Sequence, residues 1–254
     1  LAVIGKMIVL KSAREIEKMR EAGKLLASCH KEIANLIEPG ITTWEIDSFV
    51  ESYLKKNGAT PEQKGYKGYE YATCASINDE ICHGFPRKSP LKSGDIVTID
   101  MVVNLDGALA DSAWTYGVGE ISVEDQKLLF VTEQALYKGI EQSVVGNRIG
   151  DIGHAIQTYV EGEGFSVVRD FIGHGIGTTI HEKPEVPHFG HPGRGVRIKE
   201  GMVFTIEPMV NAGLYFSKMD ENNWTARTID GKNSAQFEHT IAITKDGPII
   251  LTTL

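Results

Sequence analysis

One twelve-residue stretch occurs twice in this 254-residue chain and constrains the fold more than any other feature. Lys92-Ser-Gly94-Asp-Ile-Val-Thr98-Ile99-Asp100-Met-Val-Val103 aligns without a gap on Lys199-Glu-Gly201-Met-Val-Phe-Thr205-Ile206-Glu207-Pro-Met-Val210, at an offset of 107 and with five identities. The opening Gly and the β-branched content read as a turn leading into a strand. Side chains alternate along a strand, so Asp100 shares its face with Thr98 and Ile96, and Glu207 with Thr205 and Val203. Each strand thus carries one carboxylate among apolar neighbours. A lone anion there costs several kcal/mol or takes up a proton. Taken singly, either acid reads as a strand end that reaches solvent or caps a turn. The matched pair favours two related halves that face their acids across a pseudo-twofold, with a metal ion to satisfy both.

The rest of the composition narrows the class. With 41% hydrophobic and 24% charged residues the chain can bury a sizeable core, which fits a soluble globular protein of one or two domains. A formal net charge of -8 argues against general binding to DNA or to an anionic membrane, since either needs a basic face. The three cysteines, Cys29, Cys74 and Cys82, form no CxxC pair, which suits a reducing, cytoplasmic compartment. No apolar run is long enough to span a bilayer, and residues 1–10 lack a signal-peptide pattern. Because a Met stands at position 7, residues 1–6 are expected to be an artificial extension. Residues 7–254 show no linker or low-complexity tract and are expected to form a single catalytic domain.

In chain order, Ser12-Ala-Arg-Glu15 and Thr42-Thr-Trp-Glu45 are capping boxes. Each opens an apolar-periodic helix, the first stopped by Pro39-Gly40 and the second by Gly58. His30 on the first is expected at the surface or boundary. A Tyr- and Gly-rich irregular loop at 65–71 precedes a short strand at 72–77 and a turn at 78–80. That turn delivers His83 on the Cys82-His83-Gly-Phe-Pro loop, whose shape alone assigns no role.

Asp106-Gly107 is a hairpin turn. A hairpin pivoting there pairs positions whose numbers sum to about 213, which brings Asp111 within two residues of opposite Asp100. Cross-strand neighbours lie about 5 Å apart, so the two carboxylates repel unless a cation lies between them.

Two more helices are expected at 122–139, ended by Gly139, and at 151–161, where His154 reads as structural. A glycine-rich loop then carries His174 between Gly173 and Gly175, where the bare backbone admits a metal or substrate, and His181 follows it. His188 and His191, among Pro and Gly, read as exposed loop residues. Pro208 breaks the ladder after Glu207. Strands are expected at 210–219 and 223–229, the latter starting near Trp224, and at 235–244 with Glu238 inside it.

Asp100, Asp111, Glu207 and Glu238 with His174 make a poor structural zinc set, which favours Cys and His, and suit divalent Mn, Fe or Co. Four carboxylates exceed what one divalent ion neutralises, so two ions are expected. Such a pair acidifies a bridging water and polarises a carbonyl, which points to metal-assisted hydrolysis.

The Cys82-His83-Gly-Phe-Pro loop, Thr98-Ile99-Asp100, Asp111, Gly173-His174-Gly175-Ile-Gly177, Thr205-Ile206-Glu207-Pro208 and Glu238 together resemble the type I methionine aminopeptidases. The resemblance runs from about Met7 to the end. It implies an α+β pitta-bread (creatinase/aminopeptidase) fold, an antiparallel sheet with two helix pairs and pseudo-twofold symmetry. It implies a monomeric cytoplasmic enzyme that removes the initiator methionine from nascent polypeptides with a small second residue, with transient ribosome contact.

By position, the resemblance implies Asp100 on one metal, His174 and Glu207 on the other, and Asp111 and Glu238 bridging. Zn or Ni would stand as alternatives to Mn, Fe or Co. His83 and His181 would contact the substrate backbone and oxyanion, and Glu207 would shuttle the proton. Tyr66, Tyr69, Cys74 and Trp224 match the methionine side-chain pocket. Gln63, where some relatives carry Cys, and Ile180, where an aromatic is common, depart from the pattern and leave the pocket's shape open.

Two alternatives stay open. A proline-directed dipeptidase or aminopeptidase P shares the five ligand types, but usually carries a large N-terminal domain and a shorter spacing than the 31 residues between Glu207 and Glu238. A non-catalytic binding module on the same fold would have lost ligands, whereas all five are present.

Overall fold

The computed structural model describes residues 7–254, so residues 1–6 and the expectation attached to them lie outside the described residues. The helices come in two sequential pairs, α1 (Ala13–Leu36) with α2 (Thr43–Lys56) and α3 (Val123–Glu141) with α4 (Ile149–Gly162). Both expected capping boxes form. The Ser12 and Thr42 hydroxyls accept from Glu15 N at 3.3 Å and Glu45 N at 3.1 Å, and the two glutamates accept from Ser12 N at 2.7 Å and Thr42 N at 2.9 Å. An N-cap of this kind is worth about 1 kcal/mol.

Each repeated strand turns one face to a helix pair and the other to the cleft between the halves. In the strand Ile96–Leu105, Val97, Ile99, Met101 and Val103 enter the core under α1 and α2, with Leu26, Ile33 and Val50. The alternate side chains Asp100 and Val102 line the cleft. In the strand Val203–Ile206, Phe204 and Ile206 enter the second core with Leu128 and Ile156 of α3 and α4, which leaves Thr205 and Glu207 on the other side.

All strand pairings among the described residues are antiparallel. The strand Ala108–Gly117 returns from a tight turn in which Asp106 and Gly107 both take positive φ, 51° and 82°, as a two-residue hairpin demands. Asp100 falls opposite Ala113 and Val102 opposite Asp111, so the two acids are diagonal neighbours on one face, as the pairing sum requires.

In the second half, Val203–Ile206 pairs with His239–Thr244 and with the short strand Gly173–Gly175. The ladder breaks at Pro208, as expected, and resumes as Met209–Asn211 paired with Ser234–Gln236.

The halves meet along a seam of side-chain bonds. Asp111 N donates to Thr240 Oγ1 at 3.0 Å, Ser112 Oγ to Glu238 O at 3.0 Å, and Thr115 Oγ1 to Gln236 O at 2.7 Å. This is an α+β pitta-bread architecture, with the cleft between two helix-backed halves. Among the described residues no helix is long and apolar enough to cross a membrane.

Several expectations are corrected. Helix α3 runs past Gly139 to Glu141, because Gly139 is a packing residue whose Cβ would lie 2.7 Å from Ile156 Cδ1. The strand expected through Glu238 is split into Ser234–Gln236 and His239–Thr244, since Glu238 N is spent on Ala113 O across the seam, at 2.8 Å. Glu207 likewise stands just past its strand, so two of the four acids sit at strand breaks. The strand expected at 210–219 is interrupted, with Met209–Asn211 and Ser217–Met219 as its two ends, and the one expected at 223–229 shrinks to Ala226–Thr228. His30 is buried: its Nδ1 meets Tyr116 Oη at 2.7 Å and its Nε2 meets Ser112 O at 3.2 Å.

Candidate metal centre

The strand face, the two strand breaks and the glycine-flanked histidine converge on one cavity of about 270 Å³. Asp100, Asp111, His174, Glu207 and Glu238 all line it, and so do His83, His181, Tyr66, Tyr69, Cys74 and Trp224. The tightest cluster is Asp111, His174 and Glu238, which offer donor atoms all within 4.8 Å of one another. His174 Nε2 lies 3.6 Å from Asp111 Oδ2 and 3.5 Å from Glu207 Oε1. Asp100 joins as the diagonal neighbour of Asp111 on the same face of the hairpin, its carboxyl lining the same cavity.

The donor set fits divalent cations. Burial and mutual repulsion push all four carboxyls above their ordinary range: burial acts first on each, and Asp100 and Glu207 then raise Asp111 while Asp111 and Glu207 raise Glu238. Asp111 Oδ1 and Glu238 Oε1 are buried without a hydrogen-bond partner, which is costly for acceptors that face no cation. His174 Nδ1 lies 3.1 Å from Gly175 O, and a carbonyl only accepts, so this nitrogen carries the proton and Nε2 turns a lone pair to the carboxylates. Burial, with His181 adding to it, lowers the His174 pKa to about 3 and keeps the imidazole neutral, the form that binds metal. Thr205 ties the set together, accepting from His174 N at 3.0 Å and donating to Glu207 Oε1 at 2.7 Å.

With this geometry in place, the comparison that decides the lineage is a match of residues 17–245 to Metallopeptidase family M24. The chain belongs to metallopeptidase family M24. It is 53% identical over 246 residues to methionine aminopeptidase 1 of Bacillus subtilis, covering 97% of this chain and 99% of that protein. The crystal structure of methionine aminopeptidase from Rickettsia prowazekii superposes with a TM-score of 0.96 at 44% identity, covering 97% of this chain and 100% of that one. The prolidase from Pyrococcus horikoshii shares the fold alone, with a TM-score of 0.79 at 24% identity over 97% of this chain but 64% of its own. Divalent metal ions are implied for an M24 metallopeptidase, and the carboxylate and imidazole donors above suit them.

Around this M24 centre, the sequence-derived flanking residues take distinct places. His83 adopts a left-handed backbone with φ 56°, a strain that a non-glycine residue keeps only where its surroundings impose it. Its ring stands edge-on to Phe171 and Trp224, and burial, helped by His181, lowers its pKa to about 4. His181 is exposed at the mouth, its ring 4.3 Å from that of His174 and its Nδ1 2.9 Å from Tyr66 Oη. Tyr69 is buried, donates to Thr73 O at 2.9 Å, and packs its ring 5.0 Å from Trp224. Cys74 falls opposite Asp100 in register, and burial raises its thiol pKa so that it stays a soft, neutral wall. Ile180, one of the two departures, is 5% exposed and packs with Met19, Val102 and Tyr66 under the cleft.

Two contributors were misread or unassigned in the sequence. His188, expected exposed, is fully buried behind Glu207, whereas His191 is exposed as expected. Gln63, flagged only as a departure, donates to Asp100 O at 3.1 Å and accepts from Val102 N. It thereby fixes the backbone on both sides of Met101.

Proposed function

We propose that this M24 metallopeptidase is a type I methionine aminopeptidase that removes the initiator methionine from nascent polypeptides whose second residue is small. The single observation that carries the reading is the convergence of all five donor side chains with His83, His181 and the Tyr66, Tyr69, Cys74 and Trp224 wall in one cleft. Asp100 would hold one ion and His174 with Glu207 a second, with Asp111 and Glu238 shared. Two divalent ions there, of the Mn, Fe or Co type with Zn or Ni as alternatives, supply Lewis-acid polarisation of the scissile carbonyl and acidify the attacking water.

The chain's own residues do the rest. The thioether of the substrate lies against aromatic faces and a neutral thiol, a soft surface for a soft atom. His83 is half-buried, and His181 is exposed but packs its ring against those of His174 and Tyr66. Both are lowered in pKa by desolvation first, so they stay neutral at pH 7 and offer N–H donors to the substrate backbone and the developing oxyanion. With Tyr66 Oη donating to His181 Nδ1, the donor of His181 is Nε2. Glu207 takes the proton from the attacking water as the new C–O bond forms and delivers it to the departing amine as the C–N bond breaks.

Residues 7–254 act as a single catalytic domain and as a monomer in this reading, since every site residue comes from one chain. A cytoplasmic location agrees with Cys29, Cys74 and Cys82 all being free thiols. Contact with the ribosome would be local and transient, because a net charge of -8 gives no general attraction to RNA.

The test is hydrolysis of Met-Ala-Ser beside Ala-Pro-Ser by metal-free protein titrated with Mn²⁺, Fe²⁺ or Co²⁺. Metal-dependent release of Met alone is the expected result. Cleavage of the Pro peptide alone would move the chain to the proline-directed branch, and no cleavage of either with metal bound would support a binding module.

A further inference from the structure

Lys11 is a lysine almost without solvent. Its side chain is 6% exposed, and its ammonium lies 2.6 Å from Glu182 Oε2, across 171 residues of chain. The other oxygen of Glu182 accepts from Thr178 N at 2.9 Å. One carboxylate therefore closes the loop 177–182 on itself and fastens it to the segment leading into α1. That loop carries Ile180 and His181, both on the cleft.

The backbone of Lys11 is fastened as well, its N–H donating to Gly201 O at 2.6 Å. Gly201 is the turn glycine, at φ 84°, that opens the strand leading to Glu207. Residue 11 thus grips the two segments that deliver His181 and Glu207. The pair lies directly against the loop backbone: a Cβ on Gly177 would lie 2.3 Å from Lys11 Nζ and 2.6 Å from Glu182 Oε1, so any side chain there would have to push the pair aside.

We propose that the Lys11–Glu182 pair is a latch that positions His181 for the reaction, a role that rests on the aminopeptidase reading above. A buried ion pair adds little net stability over an apolar pair of similar size, so it is poorly explained as a fold stabiliser. What it does supply is a fixed direction for the loop end beside the reacting centre, where a displacement of about 1 Å can cost about a hundredfold in rate.

The experiment uses the metal-loaded full chain and compares wild type with Lys11→Met and Glu182→Gln, each alone and combined with His181→Ala. The latch predicts a loss of about tenfold to a hundredfold in kcat/KM for Met-Ala-Ser in either single variant. It predicts less than about a twofold further loss when His181 is already alanine, because a group acting through His181 has nothing left to position. Turnover within about twofold of wild type, or an undiminished loss in the His181→Ala background, overturns it.

Amide hydrogen exchange separates the latch from the functional reading. Loop 177–182 should exchange about tenfold faster in both single variants while 203–206 stays unchanged, and an unchanged loop overturns the latch even if no peptide is cleaved. If Lys11→Met does not fold, Glu182→Gln carries the same test, since it retains an oxygen for Thr178 N.

Discussion

Glu207 is held from behind by His188: its backbone N–H donates to His188 Nε2 at 3.1 Å. Burial, with His174 adding to it, lowers the His188 pKa to about 3, so the ring stays neutral and Nε2 stays an acceptor. Glu207 precedes Pro208 and stands past the end of its strand, so no ladder partner accepts this N–H. Replacing His188 with Ala leaves a buried donor unpaired, at a cost of about 1–3 kcal/mol, and frees the Glu207 backbone. We expect a lower urea midpoint together with a fall in turnover of about tenfold or more. A variant that matches wild type in both measurements would show that the bond is incidental.

The side chain of Glu207 makes a separate prediction. Its Oε1 accepts from Thr205 Oγ1 at 2.7 Å and its Oε2 from Gln236 Nε2 at 3.3 Å. Glu207→Gln preserves the shape and one acceptor, so the fold should persist while proton transfer fails. Turnover should drop by about 10²–10⁴-fold with an unchanged far-UV circular dichroism spectrum. Near-normal hydrolysis would remove Glu207 from the shuttle role.

His83 touches the cleft from a loop whose carbonyl accepts from Thr225 Oγ1 at 3.3 Å. As a donor to substrate and not a ligand, it should be dispensable for metal. In His83→Ala, kcat should fall by about 10²-fold or more while the metal content by elemental analysis stays near wild type. Loss of metal would instead make His83 a ligand.

Much of this site was legible in the sequence because its determinants are local. Asp100 and Asp111 followed from strand alternation and one Asp-Gly turn, which together fix register to within two residues. The two capping boxes placed α1 and α2 for the same reason. The positions that were misread depend on contacts distant in sequence. His188 is buried because its stretch of the Pro- and Gly-rich loop packs directly on α4, where a Cβ on Gly153 would lie 2.6 Å from Pro187 O and 2.5 Å from Phe189 O. Gly150 and Gly153, a small-residue pair three apart on one helix face, were the available signal. The break at Glu238 arises at the seam between the halves, and the burial of His30 arises where α1 packs on the strand Ala108–Gly117; neither contact is encoded in the periodicity of a single element.

Gln63 serves as a missing piece of strand. The strand Ile96–Leu105 is flanked by Cys74–Ile77 opposite positions 97–100 and by Ala59–Pro61 opposite 103–105. Between them, the Gln63 amide satisfies Asp100 O and Val102 N. Gln63→Leu has similar bulk but leaves both backbone groups unpaired beside a proposed metal ligand. We expect a loss of about 2 kcal/mol or more in unfolding free energy and weaker metal binding by isothermal titration. Wild-type stability and affinity would reduce Gln63 to pocket lining.

Burial of His30 makes stability depend on pH in a defined direction. In the folded chain its Nε2 donates to Ser112 O at 3.2 Å and its Nδ1 faces Tyr116 Oη at 2.7 Å, so the neutral ring is fully used. Burial drives its pKa down from 6.5 to about 3, outweighing the Ser112 bond, which opposes the shift. The unfolded chain therefore binds a proton between about pH 6.5 and 3 that the folded chain refuses. The stabilisation is fully present above pH 6.5 and is lost as the pH falls toward 3. At pH 5 this one group should cost about 2 kcal/mol relative to pH 7.5. Comparing urea unfolding of wild type with His30→Leu at both pH values isolates it, because the other buried histidines and the carboxyls titrate in both proteins. The variant will be less stable at pH 7.5, having lost the partner of Tyr116 and Ser112, but the gap should narrow by about 2 kcal/mol at pH 5. A gap that stays constant between the two pH values would mean that His30 takes up its proton without leaving its place.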